Sequence, residues 1–150
     1  MKSYLQYMLL IFISSILISC ANHEATDKPI IIVVSEQASQ PVKSTAQDLK
    51  KDLHQVVNAD VQVIAAGEQT QLSQASHYFF VGRDQHLSKL NILSNHKTLF
   101  NNMPKARGGI IYQLDLAVPA VVLSGVDVQG TQYMVYDYSE QVLGVDKLAY

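Results

Sequence analysis

The apolar run over residues 30–34, in PIIIVVS, is unbroken and β-branched, which is the pattern of a strand covered on both faces and not of an edge strand. The next segment, KSTAQDLKKDLHQVVNAD, changes period. Ala46, Leu49, Leu53, Val56 and Val57 recur at helical spacing, and Ser44 with Gln47 forms a capping box at the start, so an amphipathic helix is expected. VQVIAA and HYFFVG return to strand character on either side of a polar, Gln- and Ser-rich connection. Residues 84–103 are weakly helical at their start. After the Gly108-Gly109 turn, IIYQLDL and AVVLSG flank residues 117–119 as a hairpin, and a closing helix runs from near Gly130 to near Gly144.

This order predicts an α/β fold, with a mixed β-sheet and helices packed on it. A strand, crossover helix and strand at the start give a right-handed parallel unit, and the later hairpin adds antiparallel pairing. With 150 residues, 48% of them hydrophobic, the chain can bury one core of ordinary size, so a single domain is expected over residues 30–150.

The residues ahead of that domain have a different character. MKSYLQYMLLIFISSILISC carries basic Lys2, an apolar run over residues 8–18, small Ser19 and the only cysteine, Cys20. The run is short for a membrane-spanning helix and fits an export signal. Leu17, Ile18, Ser19 and Cys20 resemble the lipobox of bacterial lipoproteins position by position. The resemblance implies a signal peptide over residues 1–19, cleavage before Cys20, and lipid on its thiol and new amine. Residues 20–29 then form a polar tether. The mature protein would be exported and lipid-anchored to a bacterial membrane, the outer membrane facing the periplasm or the surface. Each buried CH₂ of the lipid would contribute about 0.8 kcal/mol.

The formal net charge of −2, with no Lys/Arg stripe, argues against a nucleic-acid partner. One cysteine excludes an intrachain disulfide. The five histidines lack the spacing that sets two ligands on one helix face or hairpin, so neither a metal nor any other cofactor is expected.

The end of the chain carries the most specific pattern. VVLSGVDVQGTQYMVYDYSEQVLGVD resembles the end of the N-terminal domain of glycoside hydrolase family 115, the xylan α-glucuronidases. There a strand runs into a Gly-x-Asp-x-x-Gly-Thr turn and then a Tyr-rich helix ending Ser-Glu-x-x-Gly-Val. The matching residues are Gly125, Asp127, Gly130, Thr131, Tyr133, Tyr136, Asp137, Ser139, Glu140, Gly144 and Val145. The chain departs from the family at Val128 and Gln129, where basic residues are usual, and at Lys147, Leu148 and Ala149, where a Trp-rich entry to a catalytic barrel is usual. The resemblance implies the N-terminal accessory domain of α-glucuronidase/hexosaminidase-type glycoside hydrolases, without the barrel it normally precedes. That missing barrel would be its partner, and glucuronic-acid-decorated xylan or a similar polysaccharide the substrate of the parent enzyme. A small carbohydrate-binding or interaction lipoprotein without catalytic activity is the alternative, favoured by Tyr or Phe residues exposed in line on one face.

Within the turn, Gly125 lets the chain leave a strand at an angle a β-carbon would oppose, and Gly130 permits a positive φ just before the helix. Asp127 accepts from backbone N–H groups, and Thr131 caps the helix. Asp127, Gly130 and Thr131 are also the candidate ligand or interdomain contacts, because a carboxylate and a hydroxyl at a helix N-terminus suit a sugar hydroxyl or a partner loop. No catalytic residue is assigned. Asp137 and Glu140, at i,i+3, project from one helix face and cannot straddle a glycosidic bond, and Asp48 and Asp52 fail likewise. The closing helix has apolar residues around more of its surface than one stripe needs (Tyr133, Met134, Val135, Tyr136, Tyr138, Val142 and Leu143), so an exposed patch beside it and residues 148–150 is expected.

The lipobox yields a direct test. Wild type is expected in the membrane fraction in a processed form, and Cys20→Ser should accumulate unprocessed. A variant that fractionates and is processed as wild type does would overturn the assignment.

Overall fold

The computed structural model describes residues 28–146 apart from Thr70 and Ser73. Cys20, the signal segment, most of the tether and residues 147–150 lie outside the described residues. The elements are β1 (Ile30–Ser35), α1 (Gln40–Val56), β2 (Val61–Ala66), β3 (His77–Arg83), α2 (Asp84–Leu87), a 3₁₀ stretch (Asn91–Phe100), β4 (Gly109–Leu114), β5 (Ala120–Gly125) and α3 (Val128–Gln141). The strands form one sheet in the order β2-β1-β3-β5-β4. β1 pairs in parallel with both β2 and β3, β3 pairs in parallel with β5, and β4 closes one edge antiparallel to β5. The α/β class and the mixed sheet expected from the sequence are both present.

Period-2 alternation in the central strands supplies two separate apolar faces. Ile31, Val33, Phe80 and Val122 point to one side, where Leu87, Leu90 and Leu93 of α2 and the segment after it cover them. Ile32, Val34, Phe79, Val81 and Leu123 point to the other, under Ala46, Leu49 and Leu53 of α1 and Val135 of α3. All six residues of β1 are buried, as its unbroken apolar run requires. The result is three layers, with the sheet in the middle.

Helix α1 begins four residues ahead of the Ser44 expected as its cap. Ser39 is the N-cap and Pro41 lies in the first turn, where a missing N–H has no helical partner to lose and the ring presets φ. Ser44 is therefore inside the helix and exposed. Val56, expected on the buried stripe, is 45% exposed at the last residue of the helix, while Leu53 one turn earlier is buried. The region read only as weakly helical consists of α2 and the 3₁₀ stretch, which breaks helical geometry at His96. Gly144, at φ 70°, turns the chain after α3, and the Val145 N–H donates to the Ser139 carbonyl at 2.9 Å, satisfying one of the helix's last carbonyls.

Phe80 is fully buried in the middle of the sheet. Phe80→Ala is expected to cost about 3–5 kcal/mol in urea denaturation. Val142→Ala, at a position 60% exposed, should stay within about 0.5 kcal/mol of wild type.

Candidate functional site

The turn from β5 into α3 is built by close backbone approach. A β-carbon on Gly125 would run into the amide nitrogen of Thr131 and the carbonyl carbon of Gly130, and one on Gly130 would meet the Gly108 carbonyl. Both positions therefore need glycine for space; Gly130 lies inside α3 and does not take the positive φ expected of it, which among the described glycines belongs to Gly144. Asp127, not Thr131, is the N-cap of α3. Its Oδ1 accepts from the Gly130 N–H at 2.7 Å, and its Oδ2 accepts from the Arg107 N–H at 2.9 Å. These two backbone donors, with smaller help from the Arg83 and Arg107 charges, hold the Asp127 carboxyl below the usual carboxylate range. Thr131 is fully buried and its hydroxyl donates to the Asp127 carbonyl at 3.0 Å.

Two more contacts close the arrangement. The Val126 N–H donates to the Gly108 carbonyl at 3.1 Å, and Arg83 Nη2 reaches the Val126 carbonyl at 3.5 Å. The structure thus brings Asp127, Gly130 and Thr131 together in a clasp that joins the end of β3, the turn before β4 and the start of α3. The carboxylate of Asp127 faces backbone donors, and the Thr131 hydroxyl points inward.

The closing helix is better covered than its composition suggests. Val135 is buried, and Met134, Tyr136, Tyr138 and Leu143 pack against the core, with the Tyr138 ring edge-on to Phe79 at 5.5 Å between centroids. Burial pushes the Tyr138 hydroxyl pKa up. Tyr133 and Val142 are exposed, but nine helical positions place them about half a turn apart. The broad patch expected along α3 is therefore not formed by these residues; residues 148–150 lie outside the described ones. The exposed rings Tyr112 and Tyr133 belong to β4 and α3. Tyr112 lies opposite Val122, on the sheet face away from α3, so the two do not form a line. Asp137 is half-buried and Glu140 exposed on the same helix.

A second region at the same end of the sheet has no motif in the sequence. Ser35 ends β1 and Ala66 ends β2, while Asp84 opens α2 directly after β3. Outside these strand ends lies a cleft of about 500 Å³ lined by Glu68, Asp84, Gln85, Ser88, Lys89, Lys97, Phe100 and Asn101. A smaller depression of about 120 Å³ adjoins it, bounded by Ser35, Glu36, Gln37, Gly67 and His86. The two adjoin at Glu68 and Lys89 in this groove region of the surface. Its wall is fixed by the backbone, since the Asn91 N–H donates to the Glu68 carbonyl at 3.2 Å. Glu36 lies across Gly67, its Oε2 2.9 Å from where a β-carbon would stand. Among the described residues no ion pair joins the groove's carboxylates to its ammonium groups. Burial, with the nearby Arg83 charge, lowers the His86 pKa below its ordinary value. The only signal the sequence offered for this groove was the topology, because an open parallel sheet gathers its ligand-facing connections at the carboxyl ends of its strands.

No protein-family model matches the chain, and no curated protein matches it in sequence.

The clasp predicts its own sensitivities. Gly125→Ala and Gly130→Ala should each destabilise by at least about 1–3 kcal/mol, from forced separation of backbone segments. Asp127→Ala should be less stable than wild type at neutral pH. Because the folded pKa of Asp127 is depressed, its contribution is present above the unfolded value of about 3.9 and fades as pH falls through the lower folded value. The gap between wild type and variant should therefore close below about pH 4, as thermal melts at a series of pH values would register.

Proposed function

We propose that this protein is an exported, lipid-tethered accessory domain of an α-glucuronidase-like glycoside hydrolase system acting on glucuronic-acid-decorated xylan or a similar polysaccharide. The catalytic barrel supplies the chemistry, and this domain packs against it and positions it. The observation that supports the reading is the steric economy of GVDVQGT. Gly125, Asp127, Gly130 and Thr131, the residues through which the chain resembles the family, each have a job in one strand-turn-helix joint. The spacing of the motif is what that joint demands, so a chain keeping it has reason to build the same domain.

The domain's role on this reading is non-catalytic. Glycoside hydrolysis ordinarily uses two carboxyl groups on opposite sides of the scissile bond, and Asp137 and Glu140 share one helix face. The full chain is expected to give no turnover of an aldouronic acid. It should instead be captured by a separately produced α-glucuronidase barrel that lacks its own N-terminal domain, and should raise that barrel's activity. Turnover by the chain alone that is lost in Asp137→Asn, Glu140→Gln, Glu68→Gln or Asp84→Asn would overturn the proposal, as would a barrel that neither binds the chain nor responds to it.

A further inference from the structure

Strand β4 is one edge of the sheet, and the ladder tells which of its backbone groups face outward. The Val126 N–H donates to the Gly108 carbonyl, and these two residues continue the β4–β5 register one step beyond Gly109 and Gly125. Antiparallel pairs alternate between those that exchange hydrogen bonds and those that do not. Ile110, Tyr112 and Leu114 therefore bond to β5, while Gly109, Ile111 and Gln113 direct both N–H and C=O away from the sheet. Among the described residues no backbone bond outside the ladder reaches these three. Such a row is a template for another strand, and proteins ordinarily blunt it with a charge, a proline or a bulge. The β4 sequence, GIIYQL, has no charge and no proline, and its register with β5 runs without interruption. Ile111 lies opposite Leu123 and Tyr112 opposite Val122, so the edge exposes one large apolar side chain on each sheet face. The other edge strand, β2, exposes none.

The strand is complementary to itself in one register. A two-fold axis normal to the sheet at Ile111 sets β4 antiparallel to β4 of a second copy, with Ile111 opposite Ile111 and Gly109 opposite Gln113. The outward residues then meet in hydrogen-bonded pairs and exchange about six bonds. On one face Ile110 of each copy meets Tyr112 of the other, in the closer, non-hydrogen-bonded positions where aromatic and β-branched side chains pair favourably. On the other face the two Ile111 side chains cover each other. Two residues beyond these pairs, the same register brings Arg107 of one copy against Asp115 of the other, at both ends of the strand. Both residues are exposed, and among the described residues neither has an ion-pair partner. A register displaced by two residues loses that charge match.

We infer that this protein forms a two-fold dimer through β4, in which its five-stranded sheet continues into the sheet of a second copy. A foreign extended segment would satisfy the backbone donors equally well; the Ile110–Tyr112 pairs and the Arg107–Asp115 match at both ends come with a second copy of this sequence. The contact is narrow beside a standard interface of about 1,600 Å², so the dimer is reversible and its population rises with concentration. The inference goes beyond the accessory-domain reading and does not depend on it.

A cysteine placed on the axis tests it. In the full chain, Ile111→Cys sets its thiol opposite its own copy at a Cα separation of about 5.5 Å, within reach of a disulfide. Gln113→Cys is at an exposed position two residues away, but it stands four positions out of step with its own copy, about 13 Å along the strand, and is out of reach. Under mild oxidation Ile111→Cys should give a covalent dimer on non-reducing electrophoresis. Gln113→Cys should give no more than wild type, whose Cys20 sets the background. Adding Gln113→Pro to Ile111→Cys removes one outward N–H from each copy without touching the bonds to β5, a change an edge strand tolerates, and should lower cross-linking about tenfold or more. Circular dichroism should be that of wild type for all three variants. The inference is overturned if Ile111→Cys stays at the background, as pairing with a foreign strand would give. It is equally overturned if Gln113→Cys cross-links as readily, as random collision would give, or if the folded proline variant cross-links undiminished.

Discussion

The apolar character of both faces of the central strands is the constraint on which the rest of the structure depends. Ile31, Val33 and Phe80 on one side, and Ile32, Val34, Phe79 and Val81 on the other, are all buried. Covering a side chain of this size is worth about 1.5–3 kcal/mol, so neither face can be left to water. Parallel pairing of β1 with β2 and β3 makes long connections obligatory, because a tight hairpin cannot join parallel strands. The β1–β2 crossover, α1, covers one face, and α2 with the 3₁₀ stretch, which lead from β3 towards β4, covers the other, so the connections part at the carboxyl ends of β1 and β3. Packing and the location of the groove are consequences of the same requirement.

The clasp answers a different problem, the attachment of an antiparallel edge strand to a parallel sheet. Strand β4 has exposed Ile111, Tyr112 and Gln113 and only Leu114 fully buried, so side-chain burial holds it weakly. Its entry is held instead by backbone contacts. Arg107 adopts φ 64°, a left-handed conformation unfavourable for a residue with a β-carbon by about 1–2 kcal/mol. Its N–H is taken by Asp127 and the next carbonyl by Val126. The carboxylate that caps α3 thus also fixes the turn before β4, which is why a half-buried residue at a helix start bears on the sheet edge.

Much of this was legible in the sequence, and the reasons differ by element. Strands β1, β3 and β5 announced themselves because strands buried on both faces need unbroken apolar runs. The β4–β5 hairpin followed from turn residues between two such runs. The start of α1 was misplaced because Ser44 and Gln47 imitate a capping box while Pro41, a residue usually read as a breaker, is what opens the helix. Val56 was assigned to the core because periodicity records angle about the helix axis and not where the helix ends, which is at Val56 itself. The glycines and Asp127 of the turn were readable from local chemistry, but the partners Arg107 and Gly108 were not, being brought there by strand pairing. The groove was invisible for the same reason, since Glu36, Glu68, Asp84 and Lys97 come from separate connections.

The clasp and the groove lie at the same end of the sheet and are chemically opposite. In the clasp the Asp127 oxygens accept from backbone N–H groups, the Thr131 hydroxyl is buried and donated, and glycine is needed because the segments leave no room. Such a site can transmit position between elements, and the Asp127 oxygens and the Thr131 hydroxyl already have partners. In the groove no ion pair among the described residues joins the charges, although Asp84 Oδ1 accepts from the Gln85 N–H at 2.6 Å and Gln85 Nε2 lies 3.2 Å from His86 Nε2. Polar groups at a ligand site must be free to exchange water for ligand, and every hydrogen bond already made internally reduces what the ligand can gain. The sequence motif therefore marks the part of the carboxyl edge that holds the fold together, and the residues of the neighbouring groove form no motif because only the topology assembles them.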